Sequence, residues 1–257
     1  MALGMAILAV GSLSNPHAAR ADALSDITSR GTIRVAVPQD FPPFGSVGTD
    51  MAPMGYDIDM ANLIGEKLGV KTELVPVTSA NRIPYLQTNK VDLVISSLGK
   101  NAERQAVIDF TDAYAPFFNG VFGPAEVTAT KPEDLSGKTI GVTRGAIEDL
   151  ALTKVAPQDA TIKRYEDNNG TISAFLSGQV DLIATGNVVA AAILARNPPK
   201  KPEMKFLITN SPCFIGLNKS EPALLKKIND IIAAAKTDGT LGKISQKWLG
   251  ADLPAGF

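Results

Sequence analysis

Two stretches with the same order of features decide the fold: IPYLQTNKVDLV at residues 83–94 and ISAFLSGQVDLI at residues 172–183. Each reads as a short helix, then a polar turn, then Val-Asp-Leu leading into an apolar strand. Any βαβ unit has this order, but here it recurs at the corresponding place in each half of a 257-residue chain. The repeat therefore predicts two similar lobes.

Strand-like and helix-like segments alternate outward from both stretches. The strand-like segments are residues 32–37, 73–77, 91–95, 138–143, 161–165 and 214–217, and the helix-like segments are residues 55–68, 81–86 and 221–236. This alternation predicts the α/β class, with a mostly parallel sheet flanked by helices in each lobe. The C-terminal helices, through Trp248, are too short for a third domain, and we expect them to pack on the first lobe.

The composition excludes several classes of function. Lys and Arg number 25 against 26 Asp and Glu, so the chain has no basic field for nucleic acid. The only histidine, His17, lies in a stretch read below as an export signal, so the mature chain would have none and could not assemble a Ser-His-Asp or Cys-His nucleophile or a Cys/His zinc site; Cys213 is the only cysteine. We therefore expect no catalytic residues, no metal and no cofactor. Cys213 lies in an apolar run and is predicted to be a buried free thiol.

Residues 1–21 are predicted to be an export signal. Residues 2–13 are apolar or small and uncharged, the stretch is too short to span a bilayer, and Ala19-Arg20-Ala21 offers a cleavage site. The basic start of such a signal is missing, so the alternatives are a longer signal that begins upstream and a disordered N-terminal tail. No later stretch is apolar enough for an anchor, and we expect a secreted protein.

Polar residues that suit a carboxylate follow the third strand. Ligands bind open parallel sheets at the carboxyl ends of the strands. There, Ser96, Ser97 and Gly99 precede Asn101, a predicted helix N-cap that places Arg104 in the first turn. Hydroxyls, backbone N–H groups and a guanidinium at one place suit a carboxylate, which arginine binds with two parallel hydrogen bonds. The alternative for Arg104 is a solvated surface arginine.

Three other strand ends carry candidates. Arg82 follows the second strand at a helix start, where a surface helix residue is the alternative. In the second half, Thr143, Gly145 and Ala146 join a strand to a helix, and their backbone N–H groups are expected to face the ligand from the other lobe. Gly145 has the alternative of a simple turn glycine. Phe41, after the first strand, offers an aromatic face.

Short motifs spread over residues 31–250 resemble one family. They are Pro43-Phe44, Gly55-Tyr56-Asp57-Ile58-Asp59, Val91-Asp92-Leu93-Val94, Glu103-Arg104, Ile108-Asp109-Phe110-Thr111, Leu135-Ser136-Gly137-Lys138, Gly178-Gln179-Val180-Asp181 and Lys247-Trp248. In this order and spacing they resemble the periplasmic amino-acid-binding proteins of ABC importers, the extracellular solute-binding family 3.

The resemblance implies a two-lobed, type II periplasmic binding protein-like fold that closes around its ligand. It places lobe 1 at residues 25–115 plus 214–257 and lobe 2 at residues 116–213. The chain is then expected to cross between the lobes near residues 115–119 and 210–214.

The same resemblance assigns roles in the cleft. Phe41 falls where the family stacks an aromatic ring on the ligand, and Ser97 and Arg104 fall where it binds the α-carboxylate. Ser79 and Arg82 resemble the stretch with which glutamate and aspartate binders hold the side-chain carboxylate.

One part of the family site departs from its pattern. The stretch Thr185-Gly186-Asn187 has no acidic residue at the place where the family holds an α-ammonium group. Asn187 is the candidate contact that remains there. Glu148, Glu166 and Asp167 are open alternatives for an acidic partner.

These observations imply a monomeric periplasmic binding component of an amino-acid ABC importer, with an inner-membrane ABC permease as its partner and no enzyme activity. The expected ligand is a polar or acidic amino acid, similar to glutamate or aspartate. One alternative is a carboxylate that lacks an α-amino group. Another is a dehydratase that acts on a prephenate- or arogenate-like acid, which needs a carboxylic acid in the cleft as proton donor.

Overall fold

A computed structural model describes residues 22–257, so the predicted export signal at residues 1–21 lies outside the described residues. The helices in chain order are α1 (Ala23–Arg30), α2 (Tyr56–Leu68), α3 (Arg82–Gln87), α4 (Ala102–Val107), α5 (Ile147–Val155), α6 (Asn168–Leu176), α7 (Asn187–Leu194), α8 (Pro222–Thr237) and α9 (Thr240–Leu249). The strands are β1 (Thr32–Pro38), β2 (Ser46–Val47), β3 (Pro53–Met54), β4 (Lys71–Val77), β5 (Leu93–Leu98), β6 (Ile108–Ala115), β7 (Phe118–Gly123), β8 (Thr139–Thr143), β9 (Thr161–Tyr165), β10 (Leu182–Gly186), β11 (Glu203–Asn210) and β12 (Cys213–Asn218).

The strands form two five-stranded sheets with matching arrangements. The first has the order β4-β1-β5-β12-β6 and the second the order β11-β7-β10-β8-β9. In the first sheet only β12 runs against the other strands, and in the second only β7 does. The predicted α/β fold with two mostly parallel sheets is confirmed. Lobe 1 below means the first sheet with its helices, and lobe 2 the second.

The reversed strands are also the ones that follow the passages between the sheets. The chain leaves lobe 1 after β6 and enters lobe 2 with β7, and it returns from β11 into β12. Buried, free Cys213 opens β12, as its apolar surroundings predicted, and so belongs to the first sheet. The residue-level lobe boundaries given above stay a prediction.

The repeated Val-Asp-Leu motif has the same structural role in each lobe. Asp92 Oδ2 accepts a hydrogen bond from the backbone N of Arg34 at 2.8 Å, at the start of β1. Asp181 Oδ2 accepts one from the backbone N of Thr139 at 2.7 Å, at the start of β8. In both lobes the aspartate therefore ties the chain before one central strand to the beginning of the neighbouring strand.

The C-terminal helices complete the core of lobe 1, as predicted. Leu224, Ile228 and Leu241, from α8 and α9, are buried in the same apolar cluster as α2 and β1. At the edge of this cluster, Trp248 Nε1 donates to Asp59 Oδ2 of α2 at 2.7 Å. In the part of the chain that the structure describes, no helix is long and apolar enough to cross a membrane.

The two lobes touch each other across the cleft between the sheets. The backbone N of Asn168, at the start of α6, donates to Asp40 Oδ2 after β1 at 2.6 Å. Lys154 Nζ of α5 lies 2.7 Å from Glu103 Oε1 of α4. The structure therefore shows a closed arrangement, in which groups of both lobes contact one another.

Candidate ligand-binding cleft

Arg104 is held at the start of α4 by the cap that its sequence predicted. Asn101 Oδ1 accepts a hydrogen bond from the backbone N of Arg104 at 2.8 Å. The residue is 6% exposed, so the surface alternative is wrong. Its Nη1 donates to Gly99 O at 2.6 Å and its Nη2 to Gly145 O of lobe 2 at 2.8 Å. Arg104 thus bridges the cleft.

Arg82 lies beside it, at the start of α3. It is 5% exposed, which excludes the surface alternative here too. Nη1 donates to Ser96 O at 2.7 Å, Nε donates to Ser79 O at 3.2 Å, and Nη2 donates to Ser79 Oγ. The residues predicted at two separate strand ends, Ser79 after β4 and Ser96 and Gly99 at the end of β5, are therefore brought together by two arginines.

The two guanidiniums lack a carboxylate partner. Within residues 22–257, neither Arg82 nor Arg104 has an Asp or Glu oxygen within 4.0 Å. Burial, together with the charge of Arg82, lowers the pKa of Arg104 to about 9, and burial lowers the pKa of Arg82. Two buried cations without a partner are costly, and a bound anion removes that cost. The cleft is therefore suited to an anion.

Asp57, which sequence reasoning did not place in the cleft, positions the end of β5. The carboxylate is fully buried in the first turn of α2. Oδ2 accepts the backbone N–H of Ser97 at 2.7 Å, and Oδ1 accepts the hydroxyl of Tyr114 at 2.5 Å. Ser97 has a φ of 41°, which a non-glycine residue rarely adopts. Because Asp57 takes its N–H, Ser97 does not offer a free backbone donor, contrary to the expectation above.

The loop from β8 to α5 corrects a second expectation. The backbone N–H of Arg144 donates to β9, that of Gly145 to Asp149 Oδ2 at 3.0 Å, and that of Ala146 to Thr143 O at 3.1 Å. All three donors are used inside lobe 2, and Asp149, in the first turn of α5, takes the one from Gly145. What Gly145 presents to the cleft is its carbonyl, which Arg104 binds.

Aromatic rings fill the floor of the cleft at the passage between the lobes. Phe41 is buried, with its ring centroid 6.1 Å from that of Phe117 and 6.2 Å from that of Phe44. A Cβ placed on Gly186 would lie 2.0 Å from the ring of Phe117. Position 186 therefore has no room for a side chain. The neighbouring Asn187 accepts a hydrogen bond at Oδ1 from the backbone N of residue 118 at 3.2 Å, so it holds the passage.

Glu148 is the acidic residue that lobe 2 presents to the two arginines. It is 3% exposed, and among the described residues its Oε1 has no hydrogen-bond partner. Burial raises the pKa of Glu148 to about 7, while the charges of Arg82 and Arg104 act in the opposite direction. Its position at the second residue of α5, after Gly145, was a possible sequence signal for a cleft residue.

Further buried polar atoms without partners lie nearby in lobe 2. Both polar side-chain atoms of Asn119 are in this state, and Asn119 is paired with Gly186 between β7 and β10. Thr185 Oγ1 and Asn168 Oδ1 also lack partners among the described residues. Buried polar atoms are normally satisfied, so this end of the second sheet is suited to a polar ligand. No pattern in the sequence separated these residues from ordinary strand and helix-start positions.

Comparison with known proteins identifies the family to which the chain belongs. The sequence profile of the bacterial extracellular solute-binding proteins, family 3, matches residues 33–251, which covers both lobes and both passages between them. The chain belongs to this family. The resemblance read from its motifs is thereby confirmed.

Relatives of this solute-binding protein bind amino acids. The L-cystine-binding protein TcyJ of Escherichia coli is 27% identical over 253 residues, 97% of this chain and 94% of the relative. The solute receptor for L-cysteine of Neisseria gonorrhoeae has a TM-score of 0.83 at 30% identity, covering 88% of this chain and 93% of the receptor. An ancestral amino-acid-binding protein, described as a precursor of cyclohexadienyl dehydratase, has a TM-score of 0.79 at 31% identity, covering 89% and 99%.

The carboxyl groups in the cleft make the stability of this solute-binding protein depend on pH. Burial raises the pKa of Asp57 and of Glu148 to about 7, and burial also raises the pKa of Asp40. In the unfolded chain such groups titrate near pH 4. Between about pH 4 and pH 7 the folded protein therefore binds more protons than the unfolded chain, and its stability falls as the pH rises. We expect a lower urea midpoint at pH 8 than at pH 5 for the ligand-free protein.

This pH window is free of titrating histidine, because residues 22–257 contain none. Glu148→Gln removes one of the groups, so its midpoint should change less between pH 5 and pH 8 than that of the wild type. The control is Glu66→Gln, on the exposed face of α2, which should keep the wild-type difference. Equal wild-type midpoints at both pH values would contradict the prediction.

Proposed function

We propose that the chain is the substrate-binding component of an amino-acid ABC importer and binds a polar or acidic amino acid, similar to glutamate or aspartate, between its lobes. The observation that carries the proposal is the pair Arg82 and Arg104, both buried in the cleft and without a carboxylate partner in the described chain. The relatives named for L-cystine and L-cysteine support an amino acid as the ligand.

In the proposed transport cycle the protein binds and delivers its ligand and catalyses no reaction. The lobes, at residues 25–115 plus 214–257 and at residues 116–213, close over the ligand in the periplasm, after export directed by residues 1–21. The closed monomer then presents both lobes to an inner-membrane permease. Closure pairs charges that water would otherwise solvate, so affinity comes from a few charge-assisted hydrogen bonds and an aromatic contact.

Each arginine has its own proposed task. Arg104, hydrogen-bonded to both lobes, takes the α-carboxylate and senses closure, because its bond to Gly145 exists only when the lobes meet. Arg82, hydrogen-bonded to lobe 1 alone, takes the side-chain carboxylate, with Ser79 and Ser96 holding it in place. Phe41 supplies the apolar wall. Loss of the ligand leaves two like charges close together, which favours opening.

The proposal is tested by calorimetry with a panel of L-amino acids and dicarboxylic acids. We expect at least one acidic or polar amino acid to bind with micromolar or lower Kd, which corresponds to about 8 kcal/mol or more. A panel in which no amino acid binds more tightly than about 1 mM would overturn it.

Arg82→Ala should change selectivity more than it changes general affinity. We expect the ratio of affinities for L-glutamate over L-glutamine to fall about tenfold or more, because glutamine has no second carboxylate for the removed cation. The matched control is Arg34→Ala, a lobe 1 arginine that pairs with Asp92 away from the cleft. If Arg82→Ala leaves the ratio unchanged, the acidic-ligand assignment is wrong.

A dehydratase remains the second candidate, and Glu148 is the observation that favours it. A buried carboxyl with a pKa near 7 suits a proton donor, and one structural neighbour is described as a dehydratase precursor. Incubation with prephenate and arogenate separates the two functions. Product formation that is lost in Glu148→Gln would establish the enzyme, and its absence supports binding alone.

A further inference from the structure

Glu148 is buried in the cleft, and its surroundings define the partner that it lacks. Its side chain is 3% exposed, and Oε1 has no hydrogen-bond partner within residues 22–257. The neighbouring Asp149 is equally buried but satisfied inside lobe 2 by Gly145 N and Arg164 Nε at 3.0 and 2.9 Å. Consecutive helix residues point about 100° apart, so Asp149 faces lobe 2 while Glu148 faces the cleft.

The other acidic side chains at the cleft already have partners. Asp40 accepts from Asn168 N at 2.6 Å, and Asp167 caps α6 by accepting from the backbone N of residue 170 at 2.7 Å. Glu166 is 77% exposed and pairs with Arg144 at 2.8 Å. Among the described acids that face the cleft, Glu148 is the one with a buried oxygen that has no hydrogen-bond partner.

The ring of Phe117 fills the space at the end of β10, so Glu148 has no acidic competitor there. A side chain at position 186 would overlap that ring, so an acceptor cannot be built there without moving the passage between the lobes. A cationic group of the ligand must therefore find its carboxylate elsewhere in the cleft.

We propose that Glu148 binds the α-ammonium group of the ligand, while the arginines of lobe 1 bind its carboxylates. The inference rests on the proposed function and sharpens it, because it requires a zwitterionic ligand held with its acidic end in lobe 1 and its amino group toward lobe 2. A bound ammonium supplies the donor that Oε1 lacks.

The experiment compares an amino acid with the same acid without its amino group. The first pair is L-glutamate and glutarate, and otherwise the pair is the tightest-binding L-amino acid of the panel and its des-amino acid. Calorimetry is run on the wild type, on Glu148→Gln, and on Glu166→Gln as the matched control from the same lobe. We expect Glu148→Gln to weaken the amino acid about tenfold or more and to change the des-amino acid less than about threefold. Glu166→Gln should change neither.

Two further readouts separate ligand contact from a structural role. The charged groups that act on Glu148 are Arg82 on α3, Arg104 on α4 and Asp149 on its own helix. Only its ionised form accepts an ammonium group, so wild-type affinity for the amino acid should rise from pH 6 to pH 8, and Glu148→Gln should lose this rise. The thermal midpoint of ligand-free Glu148→Gln should equal or exceed that of the wild type, because a buried group without a partner has been neutralised.

The outcomes distinguish this inference from the proposed function. If the wild type binds an amino acid and Glu148→Gln binds it equally well, or weakens both probes to the same extent, the role of Glu148 is refuted and the binding function stands. A wild type that binds the des-amino acid as tightly as the amino acid also refutes it and favours a ligand without an α-amino group. Failure of every amino acid to bind overturns both.

Discussion

Replacing Arg104 with alanine is expected to lower the affinity for the bound amino acid about 100-fold or more. Arg104 contacts both lobes and is buried, so its removal takes away a charge-assisted carboxylate contact and a bond that stabilises closure. Truncating one partner of a buried, hydrogen-bonded charge pair costs about 2–5 kcal/mol, which corresponds to roughly 30-fold to several thousand-fold in Kd. Calorimetry at pH 8 measures the change directly.

The chain offers a matched control in the loop that Arg104 contacts. Arg144 lies next to Gly145 in the same loop that Arg104 contacts, but its side chain is 48% exposed and pairs with Glu166. Arg144→Ala should change the affinity less than about threefold, since exposed ion pairs contribute little. Arg104→Lys should fall between, because lysine keeps the charge but not the planar, two-pronged donor geometry. Full affinity in Arg104→Ala refutes the carboxylate assignment.

Most of the fold followed from local signals in the sequence. Gly69, with a φ of 69°, ends α2 where the helical spacing stopped, and Asn101 caps α4 as predicted. Such features depend on neighbours within one or two turns, so the residues themselves report them. The repeat then implied two lobes, because the same order of helices and strands in each half forms two similar sheets.

The buried arginines mark the limit of that reasoning. For Arg82 and Arg104 the sequence left a surface residue and a ligand-binding residue as alternatives. Their burial depends on contacts between segments far apart in the chain, such as Arg104 with Gly145 across the cleft. The contact between Gly186 and the ring of Phe117 is of the same kind, since Phe117 lies between β6 and β7 and no local pattern connects the two positions.

For the acidic residues, too, the sequence alone did not show which side chain lies in the cleft. Glu148, Glu166 and Asp167 all follow strand ends, and the sequence did not separate them. The orientation of α5 places Glu148 in the cleft. The helix turns Asp149 back onto Gly145 and leaves Glu148, one residue earlier, on the side of the arginines. In the same arrangement Asp149 accepts the N–H of Gly145, one of the backbone donors that the loop was expected to offer.

Asp57→Ala is expected to destabilise the protein by about 2–4 kcal/mol at pH 5. It leaves the Ser97 N–H and the Tyr114 hydroxyl without their acceptor in a fully buried place, and each such loss costs about 1–3 kcal/mol. Ser97 also loses the contact that holds its left-handed backbone conformation at the end of β5. Urea unfolding followed by circular dichroism measures the change in the free energy of unfolding.

The pH dependence of this loss identifies its cause. Burial raises the pKa of Asp57 to about 7, so the wild type is more stable with Asp57 protonated, and alanine should cost more at pH 5 than at pH 8. The control is Glu66→Ala, an exposed acid on the same helix, which should stay within about 0.5 kcal/mol of the wild type at both pH values. A loss for Asp57→Ala that is larger at pH 8 would contradict this, because it would mean that the ionised carboxylate stabilises the fold. Asp57 would then bind the Ser97 N–H as a charged acceptor.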